Sequence, residues 1–283
     1  MNALRIADAL ARDTHHLIQA LGLSATEARI EVQMLMAAAL QVQRVYLIAH
    51  ADEIMPSQQT ACYQVFIERR LEGEPIAYVL GEKEFFSLVF KVSPAVLIPR
   101  PETELLVELA LSHIPANTPC RVLDLGAGSG AIAIAIAKQR PRATIVAVDN
   151  SSGALAIARE NTVKLTVSNV QFLQSDWYEG VVCQEFDIIV SNPPYICAGD
   201  PHLAQGDLRF EPINALVAGQ SGLDAINTII AGARAHLRQN GKLLLEHGYN
   251  QEKLCGNLLY EAGFNKVYRY PDLAGIPRLI SGC

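Results

Sequence analysis

The sequence predicts an α/β protein: a mostly parallel sheet covered by helices, with a small all-helical N-terminal domain joined to it by a β-hairpin linker. Three observations predict it. From Arg121 onward, short apolar runs alternate with helical stretches, the pattern of strands that return through crossover helices. Residues 1–82 carry apolar side chains at helical spacing. Between these regions Phe85–Val92 is rich in aromatic and β-branched residues, and Pro94 follows, as expected of a hairpin or extended connection. The expected division is residues 1–82, a linker over 83–96, and a second domain over 97–283.

The elements follow in order. Ile6, Leu10, Leu17, Ile18 and Leu21 share one helical face, and Gly22 ends the segment. Ser24-Ala25-Thr26-Glu27 has the pattern of a capping box, and Ala28, Val32, Leu35, Met36 and Leu40 form the apolar face after it. A short third helix covers Val45 to His50. Pro56 opens a fourth, with Tyr63, Phe66, Ile67 and Leu71, which stops at Gly73. Strands are expected at Arg121–Leu125, Thr144–Val148, Val170–Leu173, Phe186–Val190 and Lys242–Glu246. Helices are expected at Ser151–Leu165, Gly222–Leu237 and Asn250–Ala262. Lys266–Tyr270 and Arg278–Ser281 are expected as an antiparallel hairpin at one sheet edge. Ala131–Ala137 alternates strictly between Ala and Ile, as a strand does. Its alanine content, and the need for a crossover between parallel strands, assign it to a buried helix.

Composition narrows the function classes. Half of the 283 residues are hydrophobic and 18% are charged, which suits a large core and argues against extended disorder. The net charge of −6 lacks the basic footprint of a nucleic-acid binder. No apolar stretch approaches the ~20 residues of a membrane span. The opening Met1-Asn2-Ala3-Leu4-Arg5 does not read as a signal peptide. The six cysteines, Cys62, Cys120, Cys183, Cys197, Cys255 and Cys283, show no C-x-x-C pair, so free thiols in a reducing cytoplasm are expected and no metal site. The seven histidines likewise lack ligand spacing.

Two motifs carry chemistry. Val122 to Leu125 runs as a strand into Gly126-Ala127-Gly128-Ser129-Gly130 and then a helix. Glycines permit a tight turn and close approach of a ligand to the backbone, and ligands of such sheets bind beyond the carboxyl ends of the strands. Asp149 ends the second strand, where a carboxylate accepts both hydroxyls of a ribose. The loop and the acid together point to a nucleoside-containing cofactor. Gly126-x-Gly128-x-x-Ala131 also fits a relaxed dinucleotide fingerprint, so NAD stays open at this point. Asp124 favours S-adenosylmethionine, because a carboxylate beside the loop repels a pyrophosphate and can hold a cationic ligand, directly or through water.

The second motif is Ser191-Asn192-Pro193-Pro194-Tyr195, after the strand Phe186–Val190. Two prolines fix a rigid corner at the strand end. An amide nitrogen is a poor nucleophile, since its lone pair is delocalised. The Asn192 side-chain oxygen and the Pro193 carbonyl can accept its two N–H bonds and align the lone pair. Tyr195 is expected to stack on the planar group. Adenine's exocyclic amino group poses the same problem, so an adenine-N6 nucleic-acid methyltransferase remains an alternative, as does a non-enzymatic cofactor-binding adaptor.

With these motifs the chain resembles class I adenosylmethionine-dependent methyltransferases and, over its whole length, the release factor glutamine methyltransferase family (PrmC, also called HemK). Further matching stretches are Gly73-Glu74-Pro75-Ile76-Ala77-Tyr78-Val79-Leu80-Gly81, Leu97-Ile98-Pro99-Arg100-Pro101-Glu102-Thr103-Glu104, Ser175-Asp176-Trp177, Arg209-Phe210-Glu211-Pro212, Leu243-Leu244-Leu245-Glu246 and Gly275-x-x-Arg278. The resemblance implies a Rossmann-like, mostly parallel seven-stranded sheet. It implies transfer of a methyl group from S-adenosylmethionine, leaving S-adenosylhomocysteine, to the glutamine N5 of a Gly-Gly-Gln tripeptide in class 1 peptide chain release factors. By position, Gly126, Ala127, Gly128, Ser129, Gly130 and Asp149 are implied to hold the cofactor, with Asp176 and Trp177 by its adenine. Asn192, Pro193, Pro194 and Tyr195 are implied to hold the glutamine amide, with Asn192 also at the cofactor. Residues 100–103 are implied to flank the cofactor, and Glu211 either orders the active-site loop or caps local structure. Residues 1–82 are expected to recognise the substrate protein. A cytoplasmic monomer is expected, without direct nucleic-acid or membrane contact.

Overall fold

The computed structural model describes residues 4–283, so Met1–Ala3 of the expected N-terminus lie outside the described residues. Among the described residues two compact units are present, one of residues 4–81 with His202–Phe210, the other of Glu82–Pro201 with Glu211–Cys283.

The first unit is helical. α1 (Ile6–Leu21) is closed by Gly22, left-handed at φ 67°, whose N–H reaches the Ile18 carbonyl. α2 (Ala25–Leu40) begins on the capping box: the Ser24 hydroxyl accepts the Glu27 N–H, and the Glu27 carboxylate accepts the Ser24 N–H. α3 (Arg44–Ala49) and α4 (Ser57–Leu71) follow. A one-turn helix, α5 (Ile76–Leu80), adds an element that periodicity did not single out. Leu17, Leu35, Met36 and Tyr63 form the centre of the core. Charged groups inside this unit are paired. Arg70 donates from Nε to Glu31 Oε2 at 2.7 Å and from Nη1 to the carbonyls of Gly73 and Glu74. Asp13 accepts from Tyr63 Oη at 2.8 Å and from Arg12. The stretch His202–Phe210 belongs to this unit through Asp207, 3.5 Å from Arg70, and Arg209, which donates to the Glu72 carbonyl. Nothing in its local sequence signalled that attachment.

The second unit opens on the antiparallel hairpin β1 (Glu82–Phe85) and β2 (Leu88–Lys91). Phe85 and Phe90 enter the core of this unit. α6 (Glu104–His113), absent from the sequence reading, precedes β3 (Cys120–Leu125), α7 (Ala131–Gln139), β4 (Ala143–Asp149), α8 (Ser152–Lys164), β5 (Val170–Gln174) and β6 (Phe186–Ser191). α9 (Asp224–His236), β7 (Leu237–Glu246), α10 (Glu252–Glu261), β8 (Val267–Pro271) and β9 (Pro277–Gly282) complete it. The seven strands are ordered β5-β4-β3-β6-β7-β9-β8. The first five are parallel, and β9 and β8 close one edge as the expected antiparallel pair. α6 and α7 cover one face with Leu106, Val107 and Ile134, whereas α9 and α10 cover the other with Ile226, Ile229 and Leu259. The alternating Ala-Ile segment is helical, and all seven residues Ala131–Ala137 are buried. A helix that is apolar all round is stable only between other layers, and here it lies between the sheet and α6 and α8.

Strand order reverses at β3, whose neighbours are β4 and β6. That reversal opens a crevice above the carboxyl ends of the strands. No helix among the described residues is long and apolar enough to cross a membrane.

Candidate active site

The crevice forms a cleft lined by the glycine loop, Asp149 to Ser151, Ser175 to Trp177 and Asn192, a setting suited to a small ligand. Three strand ends build it. After β3 the backbone turns through Gly126 (φ 79°), Gly128 (φ 54°) and Gly130 (φ 79°), left-handed conformations that a side chain strains. The N–H groups of Gly126 and Ala127 bond to the Val148 carbonyl at the end of β4, so the loop is pinned to the neighbouring strand. Gly128 N–H donates to Asp149 Oδ2 at 2.8 Å, and Ser151 N–H donates to Oδ1 at 2.9 Å. Both carboxylate oxygens retain lone pairs for a ligand. Burial raises the Asp149 pKa, and these two N–H bonds oppose the rise. Asn161 of α8, fully buried, bonds the backbone of Lys91 on both sides and the Ser129 carbonyl. It fastens the hairpin to the glycine loop, a role that no local motif announces.

Gly126, Ala127, Gly128, Ser129, Asp149, Asp176, Trp177, Asn192 and Pro194 line one cleft, together with Arg100 and Thr103. Gly130, Pro193 and Tyr195 lie outside its wall. Gly130 instead caps α7, where an added Cβ would meet Ile134, Ala158 and Phe172 at 3.0–3.2 Å. Tyr195 is not a free stacking plate. Its ring packs in the apolar core on the α9–α10 face, its hydroxyl points to Glu246 Oε1 at 3.4 Å, and Gln251 Nε2 holds its carbonyl at 3.0 Å.

Asp124, expected to help hold a cationic ligand directly or through water, is not among the residues that line the cleft. It lies on the same face of β3 as Val122, by the two-residue period of a strand. It is fully buried beneath α7 and accepts the Ala133 N–H at 3.1 Å. Its Oδ1 has no hydrogen-bond partner. Burial pushes its pKa up to about 7, Ala133 N–H lowers it, and Asp149 raises it further.

Glu211 orders the opposite wall. It accepts the Ile98 N–H at 3.1 Å and pairs with Arg100, fixing the segment whose Leu97, Pro99 and Arg100 line the cleft. Thr103 and Glu246 were visible in sequence only as parts of matching stretches. Here Asn192 Nδ2 donates to Thr103 Oγ1 at 3.0 Å, and Thr103 Oγ1 donates to Glu246 Oε2 at 2.8 Å. A carboxylate ending an apolar strand, the signal that marked Asp149, was equally present at Glu246.

Comparison with known proteins agrees with this architecture. A family model described as methyltransferase small domain matches residues 103–205, and one described as PrmC N-terminal domain matches residues 13–81. A release factor glutamine methyltransferase of Burkholderia pseudomallei is 48% identical, across 100% of this chain and 99% of that protein. The chain belongs to the release factor glutamine methyltransferase family. The Escherichia coli K12 member is 43% identical over 84% of this chain and 86% of its own. Among solved structures, the T. thermophilus 16S rRNA N2 G1207 methyltransferase in complex with AdoMet and guanosine is 25% identical. Its TM-score is 0.54, covering 71% of this chain and 49% of that one. A methyltransferase from Pyrococcus furiosus shares the fold at 20% identity and TM-score 0.53, over 76% of this chain and 95% of that one. The seven-stranded sheet matches the fold implied by the sequence.

Proposed function

We propose that this chain transfers a methyl group from S-adenosylmethionine to the side-chain N5 of the glutamine in the Gly-Gly-Gln motif of a peptide chain release factor. The carrying observation is that Asn192, at the proline corner, shares one cleft with the glycine loop and Asp149. The family's name supports the acceptor, and the related rRNA methyltransferase, solved with AdoMet, supports the cofactor.

The residues present fit such a cofactor: an aspartate whose two oxygens keep lone pairs for ribose hydroxyls, a tight glycine turn, and the flat ring of Trp177 in the same cleft. When bound, the cofactor supplies an activated sulfonium methyl. The chain's own contribution is placement. Asp149 accepts the ribose hydroxyls, and Gly126 to Gly130 let the backbone approach the ligand. Asp176 and Trp177 flank the base. Asn192 Oδ1 and the Pro193 carbonyl accept the two N–H bonds of the incoming carboxamide, so its lone pair faces the methyl carbon. Those acceptors would also offset positive charge on the acceptor nitrogen. The methylated nitrogen then loses a proton readily, so no strong base is required. Tyr195 contributes as a buttress of the corner.

The helical unit is assigned to recognition of the release factor outside the reactive tripeptide, because a tripeptide offers little area for specificity. Full activity on intact release factor by a chain lacking residues 1–80 contradicts that assignment. This reading makes the protein a cytoplasmic enzyme. Mass spectrometry of release factor incubated with the enzyme and S-adenosylmethionine tests the central reaction. The expected outcome is one added methyl on the Gly-Gly-Gln glutamine, and labelling of DNA or RNA alone overturns it.

A further inference from the structure

We infer that Thr103 and Glu246 are positioning residues that fix which end of the Asn192 carboxamide faces the acceptor. The inference rests on the proposed role of Asn192 and goes beyond it. A threonine hydroxyl has one proton. Burial raises the Glu246 pKa to about 7, and in its ionised form the carboxylate can only accept, so Thr103 then gives that proton to Oε2 at 2.8 Å. Toward Asn192 the hydroxyl then shows only lone pairs. The carboxamide atom that meets it at 3.0 Å is therefore Nδ2, and Oδ1 is the other end, left for the cleft that Asn192 lines. A flipped Asn192 would turn an NH2 group toward the NH2 group it must receive, donor against donor. The chain Glu246–Thr103–Asn192 thus sets the polarity of the acceptor site before any ligand arrives.

The fold makes this arrangement rigid. Ser191 and Leu245 are register partners on β6 and β7, so Asn192 follows the end of β6 while Glu246 ends the adjacent parallel strand. Thr103 and Glu246 are 4% and 2% exposed, so water does not compete for the relay. The same carboxylate also receives the Tyr195 hydroxyl through Oε1, and one acid thereby orients two residues of the corner. Glu102 and Arg278 are the charged groups acting on it electrostatically, and they oppose each other.

Steady-state methylation of release factor at saturating S-adenosylmethionine tests the relay with Thr103→Val, Thr103→Ser, Glu246→Gln and Asn192→Ala. Thr103→Val keeps the shape and removes the hydroxyl. It is expected to lower kcat about 10-fold or more, the effect of one lost hydrogen bond in a buried network, with the affinity for S-adenosylhomocysteine unchanged. Thr103→Ser is expected to restore most of the rate. Glu246→Gln, whose amide both donates and accepts, is expected to lose kcat like Thr103→Val. In the Asn192→Ala background, Thr103→Val is expected to add nothing. A wild-type kcat in Thr103→Val beside a crippled Asn192→Ala overturns the relay alone, as does a Thr103→Ser variant as slow as Thr103→Val. Wild-type rates in Asn192→Ala overturn the acceptor site itself, and the relay with it.

Discussion

Arg70 of the helical unit and Glu246 of the sheet unit are both charged side chains removed from water, 4% and 2% exposed, yet their surroundings differ in kind. Arg70 meets a carboxylate with two nitrogens and spends a third on two carbonyls. Glu246 meets hydroxyls, Thr103 and Tyr195, and no direct counter-ion. Asp124 in the same unit is less satisfied still, with one oxygen bonded and one orphaned. Burial pushes Glu246 and Asp124 each up to about 7. The difference separates charge used to hold a fold from charge held ready for a site. A paired ion locks its neighbours, whereas a buried carboxylate bonded only to neutral donors orients those polar groups.

The comparison can be broken in several places. Removing one partner of a buried pair leaves the other uncompensated, so Arg70→Ala is expected to lower stability by about 3–5 kcal/mol in urea unfolding. A change under about 1 kcal/mol would place Arg70 with ordinary surface ions. Asn192→Ala is expected to cost at least ~100-fold in kcat, about 3 kcal/mol of positioning, with little change in unfolding midpoint. That contrast with Arg70→Ala is the sharpest form of the distinction. Asp149→Ala is expected to weaken S-adenosylhomocysteine binding about 10- to 100-fold in calorimetry, the usual worth of hydrogen bonds to a charged group.

The smallest expected effect concerns pH. The Asp124 pKa rises on folding from 3.8 to about 7, so the folded state binds its proton more tightly than the unfolded one. Its contribution to stability is complete below about pH 4 and is lost as pH rises through about 7. Melting of the ligand-free protein between pH 5 and pH 8 should therefore fall less steeply with pH in Asp124→Asn than in wild type. Equal slopes would show that Asp124 is ionised in the fold at all these pH values.

Local chemistry in the sequence foretold much of this molecule. The capping box at Ser24, the glycine turn and the proline corner each work within a few residues, and each appears where its residues predicted. The Ala-Ile segment shows a different kind of legibility: its alternation alone suggested a strand, and the need for a crossover decided for a helix. Long-range partnerships stayed hidden. Thr103 lies 89 residues from Asn192 and 143 from Glu246, and no spacing rule links them. Asn161 meets Lys91 across 70 residues, and His202–Phe210 folds onto a unit whose other residues end at Gly81. The direction of Asp124 was legible as well, since strand alternation sets its side chain opposite to Leu123 and Leu125, toward α7.

A structure of the enzyme with S-adenosylhomocysteine and a glutamine-bearing peptide tests the central claim most directly. The account predicts the carboxamide nitrogen within hydrogen-bond reach of Asn192 Oδ1 and the Pro193 carbonyl, facing the sulfur. A glutamine bound elsewhere, or an Asn192 that offers Nδ2 to the cleft, would contradict it.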